Sequence, residues 1–473
     1  MPTPGDEHED PMERLTPLSA AFLQAEDEDP TTSMAIASVA VFEGPAPTQA
    51  QLVAHVRGRL PLVPRYRQTV RQVPLDLAAP VWLDDPATDL DWHIRRTALP
   101  SPGSDAELHR LVSRVMSQRL DRRRPLWEYW VVEGLPDRRW AVIQKVHHCV
   151  VDGVSGTELY HVVFDSTPEP RMPVADDWVP RPHPGTVSLT ARAAWDLVTA
   201  PLGGLRAAGS QLRSPTSLAR RTAEAARGAL ALAGTVLPAS SSTLSGPIGG
   251  QRRYTSTAVG FDEVRAIRAA LPATVNDVAL AAITGGFRHL LLSRGEEPAP
   301  HAVRTLVPVS VRLPGEEAIP DNRVSLMLPY LPVDLEDPVA RLATVRERVA
   351  RAAASREPEA GTTFTTVAGY QPFLPVALGV RLAFHVPQRQ LVTVTTNVPG
   401  PREPVYALGR RCERIIPYVP IADRVRIGVA IFSYAGQLAF GITGDHDTVP
   451  DIEVLATGIR ESAAELVTAA QQA

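Results

Sequence analysis

Between residues 166 and 250 the sequence changes character, running through STPEPRMPVADDWVPRPHPG and SSSTLSGPIGGQRR, a stretch rich in Pro, Ser, Ala, Gly and Arg. On either side the text alternates between strand-like and helix-like runs. Such a break inside an otherwise periodic chain reads as an interdomain crossover. Two α/β bodies are therefore expected, an N-terminal one over 1–165 and a C-terminal one over 251–473, joined by 166–250. Length supports the division, because 473 residues exceed what one ordinary core organises.

In the first body MAIASVAVFEG (34–44) is β-rich and stops at glycine, while TQAQLVAHVRGRL (48–60) and AELHRLVSRVMSQRL (106–120) carry apolar residues at helical spacing. WEYWVVEGL and RWAVIQKVHH read as two strands around the turn PDR, so neighbours are antiparallel and the fold is not a simple βαβ repeat. SGTELYHVVF looks helical. In the second body VNDVALAAITGGFRHLLLSRG and DPVARLATVRERVARAAA are helices, and RTLVPVSVRLP, NRVSLMLPYLPVD and LVTVTTNVPGP are strands. IGVAIFSY and QLAFGITGD form a hairpin around AG, and IEVLATGIRESAAELVTAAQ closes the chain as a helix. The crossover holds two arginine-studded amphipathic candidates, SLTARAAWDLVTAPLGGLRAAGSQL and SLARRTAEAARGALALAG. They suit either a lipid interface or packing on the parent domains.

A net charge of −4 argues against a nucleic-acid surface, which needs a clustered basic excess. Two cysteines, Cys149 and Cys412, far apart, support neither a disulfide framework nor a zinc cluster and fit a reducing, cytoplasmic compartment. The acidic start MPTPGDEHEDPMERL lacks the basic and apolar regions of a signal peptide. No window approaches the roughly 20 apolar residues of a membrane helix. Contact with a membrane or lipid droplet is expected to be peripheral.

The chemistry concentrates in HHCVVDG, residues 147–153. On a strand His147 and His148 point to opposite faces, so one histidine at most faces a given cavity. Histidine is the natural general base near neutral pH. Asp152 can turn back from the loop to fix geometry, and Gly153 leaves room beside the base. As a metal pair, His148 and Asp152 would need a helix that Asp-Gly breaks, and no third ligand is evident. The chain lacks a G-x-S-x-G elbow and the glycine fingerprints of Rossmann and P-loop enzymes.

HHCVVDG resembles the HHxxxDG motif of the acyl-CoA-dependent acyltransferase superfamily. LTPLSAAFLQAED, LDRRRPLWEYWVVEGL, TVNDVALAAITGGFR, RTLVPVSVR, DNRVSLMLPYLPVD and VTTNVPGP are similar, in order, to blocks of the bacterial wax ester synthase/diacylglycerol acyltransferase family, its triacylglycerol synthases above all. The resemblance spans nearly the whole chain. One departure is Ser19, where the family's PLDAxFL block carries aspartate.

The resemblance implies a mixed α/β, two-domain fold like chloramphenicol acetyltransferase, with a channel at the domain interface. It implies transfer of a long-chain acyl group from acyl-CoA to diacylglycerol or a fatty alcohol, with acyl-CoA as substrate, no cofactor and no metal. By the same resemblance His148 is the general base, without an acyl-enzyme. His147 supports the site, and Asp152 orients its loop through an arginine, with Arg312 and Arg323 as candidates. Asn276 becomes a candidate oxyanion donor, although Asn276 and Asp277 after LPAT equally suit a helix cap. PLW at 125–127 reads as core, and Arg124 beside it suits phosphate, Asp152 or solvent. TNVPGP at 396–401 is assigned no chemistry. The rival readings are acylation of a polyketide or other lipid alcohol, and a catalytically inert lipid-surface protein.

Overall fold

The computed structural model describes residues 13–151, 162–195, 243–310, 324–354 and 391–472. Two mixed sheets organise them. The first runs β12 (Tyr406–Ala407), β13 (Arg410–Tyr418), β1 (Ala35–Phe42), β6 (Trp140–His147), β5 (Trp127–Glu133) and β4 (Ile94–Ala98). The second runs β10 (Tyr330–Leu331), β8 (Val303–Ser310), β11 (Thr393–Pro399), β14 (Ile427–Tyr434), β15 (Gln437–Asp445) and β7 (Arg252–Gly260), with β9 (Val324–Met327) on β8. A separate hairpin joins β2 (Gln68–Arg71) to β3 (Val81–Asp84). A cut near residue 250 separates the two sheets except for one exchange. The segment β12–β13 leaves the second half and completes the first sheet, pairing Tyr418 with Ala37 and Cys412 with Phe42.

Burial follows sheet position. β6 lies between β1 and β5, and all eight of its residues are buried. A strand covered on both faces needs a largely apolar run rather than alternation, which WAVI and Val146 supply, with Gln144, Lys145 and His147 as its buried polar members. Its lysine, Lys145, reaches the end of the helix Asp105–Met116, where its ammonium donates to the Val115 and Gln118 carbonyls. Burial pushes that ammonium down to about 8, against the pull of the Glu128 and Glu26 carboxylates.

The helices of the first half are α1 (Pro17–Glu28), α2 (Gln49–Arg57), the short α3 (Leu90–His93), α4 (Asp105–Met116) and the single turn α5 (His148–Val151). α4 is amphipathic and buries Leu108, Val112, Val115 and Met116. Each of those contributes roughly 1.5–3 kcal/mol. In the second half stand α6 (Phe261–Ala270), α7 (Val275–Ser293), α8 (Pro338–Ala354) and α9 (Ile452–Gln472). Glycines let α7 and α9 touch, since a Cβ on Gly458 would lie 3.0 Å from the Gly286 Cα and 2.8 Å from the His289 Cβ. The expected β14–β15 hairpin forms, its turn residues Ala435 and Gly436 at φ 48° and 74° as a type I′ turn requires.

The halves are sewn together by polar contacts at their seam. Tyr254 Oη donates to the Pro417 carbonyl (2.8 Å), His109 Nε2 meets Ser256 Oγ (2.9 Å), and the Arg252 guanidinium donates to the Thr31 carbonyl (2.7 Å). Gly441 permits the approach, because any side chain there would strike the Pro417 backbone.

Of the crossover, 166–195 and 243–250 are described. Residues 165–183 run along the first half, where Arg67 pairs with Asp176 and Arg181 with Asp84. Residues 186–195 are helical, and Leu189 and Ala193 pack against Val73, Ala78, Val81 and Leu83. For this stretch, packing on the parent domain is the arrangement found. The rest of the first candidate crossover helix, all of the second, and most of SGTELYHVVF lie outside the described residues.

Candidate active site

The histidine doublet stands where β6 ends. His147 is the last strand residue, paired with Ala35, and its N–H donates to the Leu126 carbonyl (3.0 Å). At His148 the strand gives way to the turn α5, and the His148 N–H donates to the Met34 carbonyl (3.0 Å). The sequence reading ran the strand through both histidines. The structure instead separates them at a strand-to-helix junction, with a sharper difference in environment than strand alternation gives. His147 is 1% exposed. His148 is half-buried, the first residue past β6 to reach the surface.

The His147 ring is hydrogen-bonded through Nδ1 and faces a carboxylate through Nε2. Nδ1 accepts the Cys149 backbone N–H (3.2 Å) and lies 2.9 Å from Cys149 Sγ. Nε2 stands 3.4 Å from Glu26 Oε1. A backbone N–H only donates, so Nδ1 is the bare nitrogen and the ring proton sits on Nε2, facing the carboxylate. Glu26 is itself 2% exposed, and it accepts the Met34 N–H (2.6 Å) and the Arg122 guanidinium (3.1 Å). Burial works against its ionisation, but His147, the Met34 N–H and Arg122 together hold the carboxyl at about 2.

Helix α1 supplies the other neighbours. Phe22 lies against the His148 ring with centroids 4.0 Å apart. Ser19 is buried, and its Oγ donates to the Cys149 carbonyl (3.3 Å). The serine that departs from the family's aspartate therefore joins α1 to the motif. Glu26 and Phe22 went unnoticed in the sequence, although Ser19, Phe22 and Glu26 are spaced three and four apart along one helix face.

Asp152 and Gly153 lie outside the described residues, as do Arg312 and Arg323. The arginines before PLW have partners among the described residues. Arg122 pairs with Glu26 and Asp27, Arg123 with Asp121, and the Arg124 guanidinium sits 4.4 Å from the Trp92 ring centroid. PLW is core, as read. Trp127 is fully buried, stacks on Tyr66 and His93, and donates its indole N–H to the Tyr66 carbonyl (3.0 Å).

Asn276 belongs to the second half, one residue inside the start of α7. The cap is made by others: Asp277 N–H donates to Thr274 Oγ1 (3.2 Å), and Thr274 N–H to Asp277 Oδ2 (2.8 Å). Asn276 instead accepts, on Oδ1, the Asn397 side-chain N–H (3.1 Å). The TNVPGP segment, assigned no chemistry, thus meets the Asn-Asp block. Where the halves face each other a cavity of about 340 Å³ opens, bordered by Glu28, Asp29 and Thr31 from one half and Ile248, Asp423 and Arg424 from the other. Among the described residues no group of three or more His, Cys, Asp or Glu could hold a metal ion.

Residues 15–279 match the wax ester synthase/diacylglycerol acyltransferase catalytic domain, and residues 321–467 match the WS/DGAT C-terminal domain. A protein of Mycobacterium tuberculosis (strain ATCC 25618 / H37Rv), named probable diacylglycerol O-acyltransferase, is 43% identical over 457 residues, covering 96% of each chain. The solved wax ester synthase/diacylglycerol acyltransferase from Marinobacter aquaeolei VT8 superposes with a TM-score of 0.69 at 26% identity, over 97% of this chain and 100% of that one. The first condensation domain of the CDA synthetase shares the fold, with a TM-score of 0.57 at 15% identity over 97% of both.

Proposed function

The chain belongs to the wax ester synthase/diacylglycerol acyltransferase family, and from that premise we propose that it moves a long-chain acyl group from acyl-CoA to the hydroxyl of diacylglycerol, making triacylglycerol. Fatty alcohols serve as second acceptors and give wax esters. The observation that carries the catalytic reading is the asymmetry of the doublet: His147 is sealed, while His148 is half-buried with its backbone pinned and one ring face on Phe22.

In this reading His148 takes the proton from the acceptor hydroxyl as its oxygen attacks the thioester carbonyl. The tetrahedral intermediate collapses with cleavage of the C–S bond. Coenzyme A leaves as the thiol, carrying the proton back from the imidazolium. No acyl-enzyme forms, and acyl-CoA is the only cosubstrate.

The oxyanion needs a preorganised donor, and Asn276 is the residue we assign to it. Its Oδ1 is occupied by Asn397, which turns the Nδ2 hydrogens away from that partner. Asn276→Ala is expected to lower kcat by about 10²–10³-fold with little change in KM for acyl-CoA, read from initial rates of thiol release.

Diacylglycerol resides in a lipid surface, so the protein meets it peripherally. Among the described residues no single helix is long and apolar enough to cross a membrane. Opposite Leu189 and Ala193, the helical run 186–195 leaves Val187 and Trp195 84% and 70% exposed, which supports such docking. The decisive experiment supplies labelled long-chain acyl-CoA with vesicles holding diacylglycerol and fatty alcohol in competition. Labelled triacylglycerol as the main product is expected; label confined to wax ester reassigns the acceptor, and no labelled ester overturns the reading.

A further inference from the structure

Three consecutive residues of the motif, 147, 148 and 149, are each met by one residue of the same face of α1: Glu26 at His147, Phe22 at His148, Ser19 at Cys149. Two of these are contacts of packing and of a single hydrogen bond. The third is a buried carboxylate, and it reaches both histidines. We propose that Glu26 is a positioning residue for the doublet, fixing His147 as the Nε2–H tautomer and, through the Met34 peptide, the backbone on which His148 begins. The inference rests on the reading of His148 as the base.

The link to His148 runs through two hydrogen bonds. Glu26 Oε1 accepts the Met34 N–H (2.6 Å), and the Met34 carbonyl accepts the His148 N–H (3.0 Å). Shifting the carboxylate shifts the residue that anchors the base, and misplacement by about 1 Å can cost about 10²-fold in rate. The link to His147 is electrostatic. With Nδ1 committed to the Cys149 N–H, the ring proton lies on Nε2, 3.4 Å from the Glu26 carboxylate in a site 1% exposed, where a facing charge is weakly screened.

We expect the charge on Glu26, held beside His147, to act on the neighbouring base as well. Facing the carboxylate are His147 and Lys145 from β6, and Arg122 from the turn before β5, with Asp27 sharing Arg122. A buried negative charge favours the protonated form of a nearby imidazole. Removing it lowers the pKa of the base, which then stays deprotonated to lower pH. The acid limb of kcat/KM should move down.

The test is Glu26→Gln, which keeps the shape and an oxygen for the Met34 N–H but discards the charge. Expected are a kcat lower by about 10- to 100-fold, a KM for acyl-CoA nearly unchanged, and an acid limb displaced to lower pH. Glu26→Asp, which keeps the charge, should lower kcat yet leave the acid limb in place. A folded Glu26→Gln enzyme with wild-type kcat and pH profile overturns the proposal. Nitrogen-15 spectra of the wild-type protein test it without any variant, since a ring proton found on His147 Nδ1 overturns it too. If His148→Ala retains full turnover, the base reading has failed. If that variant is dead while Glu26→Gln is normal, only the positioning role has failed.

Discussion

Replacing His148 by alanine is expected to cut acyl transfer by about 10²–10⁴-fold, the range a positioned general base supplies, while the protein keeps its fold. Initial rates of coenzyme A release and a thermal melt measure the two effects. The loss should fall on kcat, because a base that acts on the acceptor hydroxyl as the oxygen attacks makes its main contribution in the transition state. Stability should change little, since the side chain is half-buried and its backbone hydrogen bond to Met34 survives truncation. His147→Ala should behave in the opposite way. That ring is 1% exposed and joined to Cys149 and Glu26, so its loss opens a buried polar gap and lowers stability together with activity. Two adjacent histidines thus separate into one whose removal is felt in rate and one felt in folding. Turnover by His148→Ala within a few-fold of the wild type would sink the assignment.

The strands and helices with strong periodicity were legible in the sequence, and so was the pairing of WEYWVVEGL with RWAVIQKVHH. What the sequence hid has physical reasons. β13, RRCERIIPY, sits where burial does not alternate simply, and it pairs with β1 from the far end of the chain, Cys412 on Phe42 and Tyr418 on Ala37, a contact that no local pattern announces. α1 is nearly uniform in Ala, Leu and acidic residues, so its useful face shows only once the doublet is placed against it. WAVIQKVHH has no breaker before Asp-Gly, so its sequence predicts strand through position 148. The backbone turns at His148, before that signal, and the turn is what gives the histidines different surroundings. Glu26 is the plainest case. Its partners, Arg122 and His147, lie about a hundred residues away, and LQAED by itself reads as a solvated helix end. Asn276 was legible as a residue type and ambiguous as a role. Thr274 and Asp277 turned out to satisfy the helix end, leaving its amide to meet Asn397.

The exchange of β12–β13 into the first sheet is held by a buried ion pair, and breaking it should produce the largest loss of stability among single changes. Asp165 accepts from the Arg59 guanidinium with side chains 0% and 4% exposed, and Arg59 also donates to His55 Nδ1. The Asp165 backbone pairs in both directions with Tyr406, the first residue of β12 (2.7 and 2.8 Å). Asp165→Ala leaves a guanidinium buried without its countercharge, which typically costs about 3–5 kcal/mol. Chemical denaturation should report it as a lower midpoint. The double change Arg59→Met, Asp165→Ala removes both charges and should recover much of the loss, because the cost lies in the unpaired charge more than in the missing attraction. Acid adds a second signature. Burial, then the Arg59 charge, holds His55 down at about 4, against the pull of the Val163 carbonyl and Asp165, while the unfolded value is 6.5. Between those values the unfolded chain binds a proton that the folded one refuses, so stability falls as pH drops from about 6.5 towards 4. Asp165→Ala withdraws one of the influences that raise His55, so the decline should continue to lower pH than in the wild type. A cost below about 1 kcal/mol, with an unchanged acid profile, would mean that the strand exchange is held by the sheet alone.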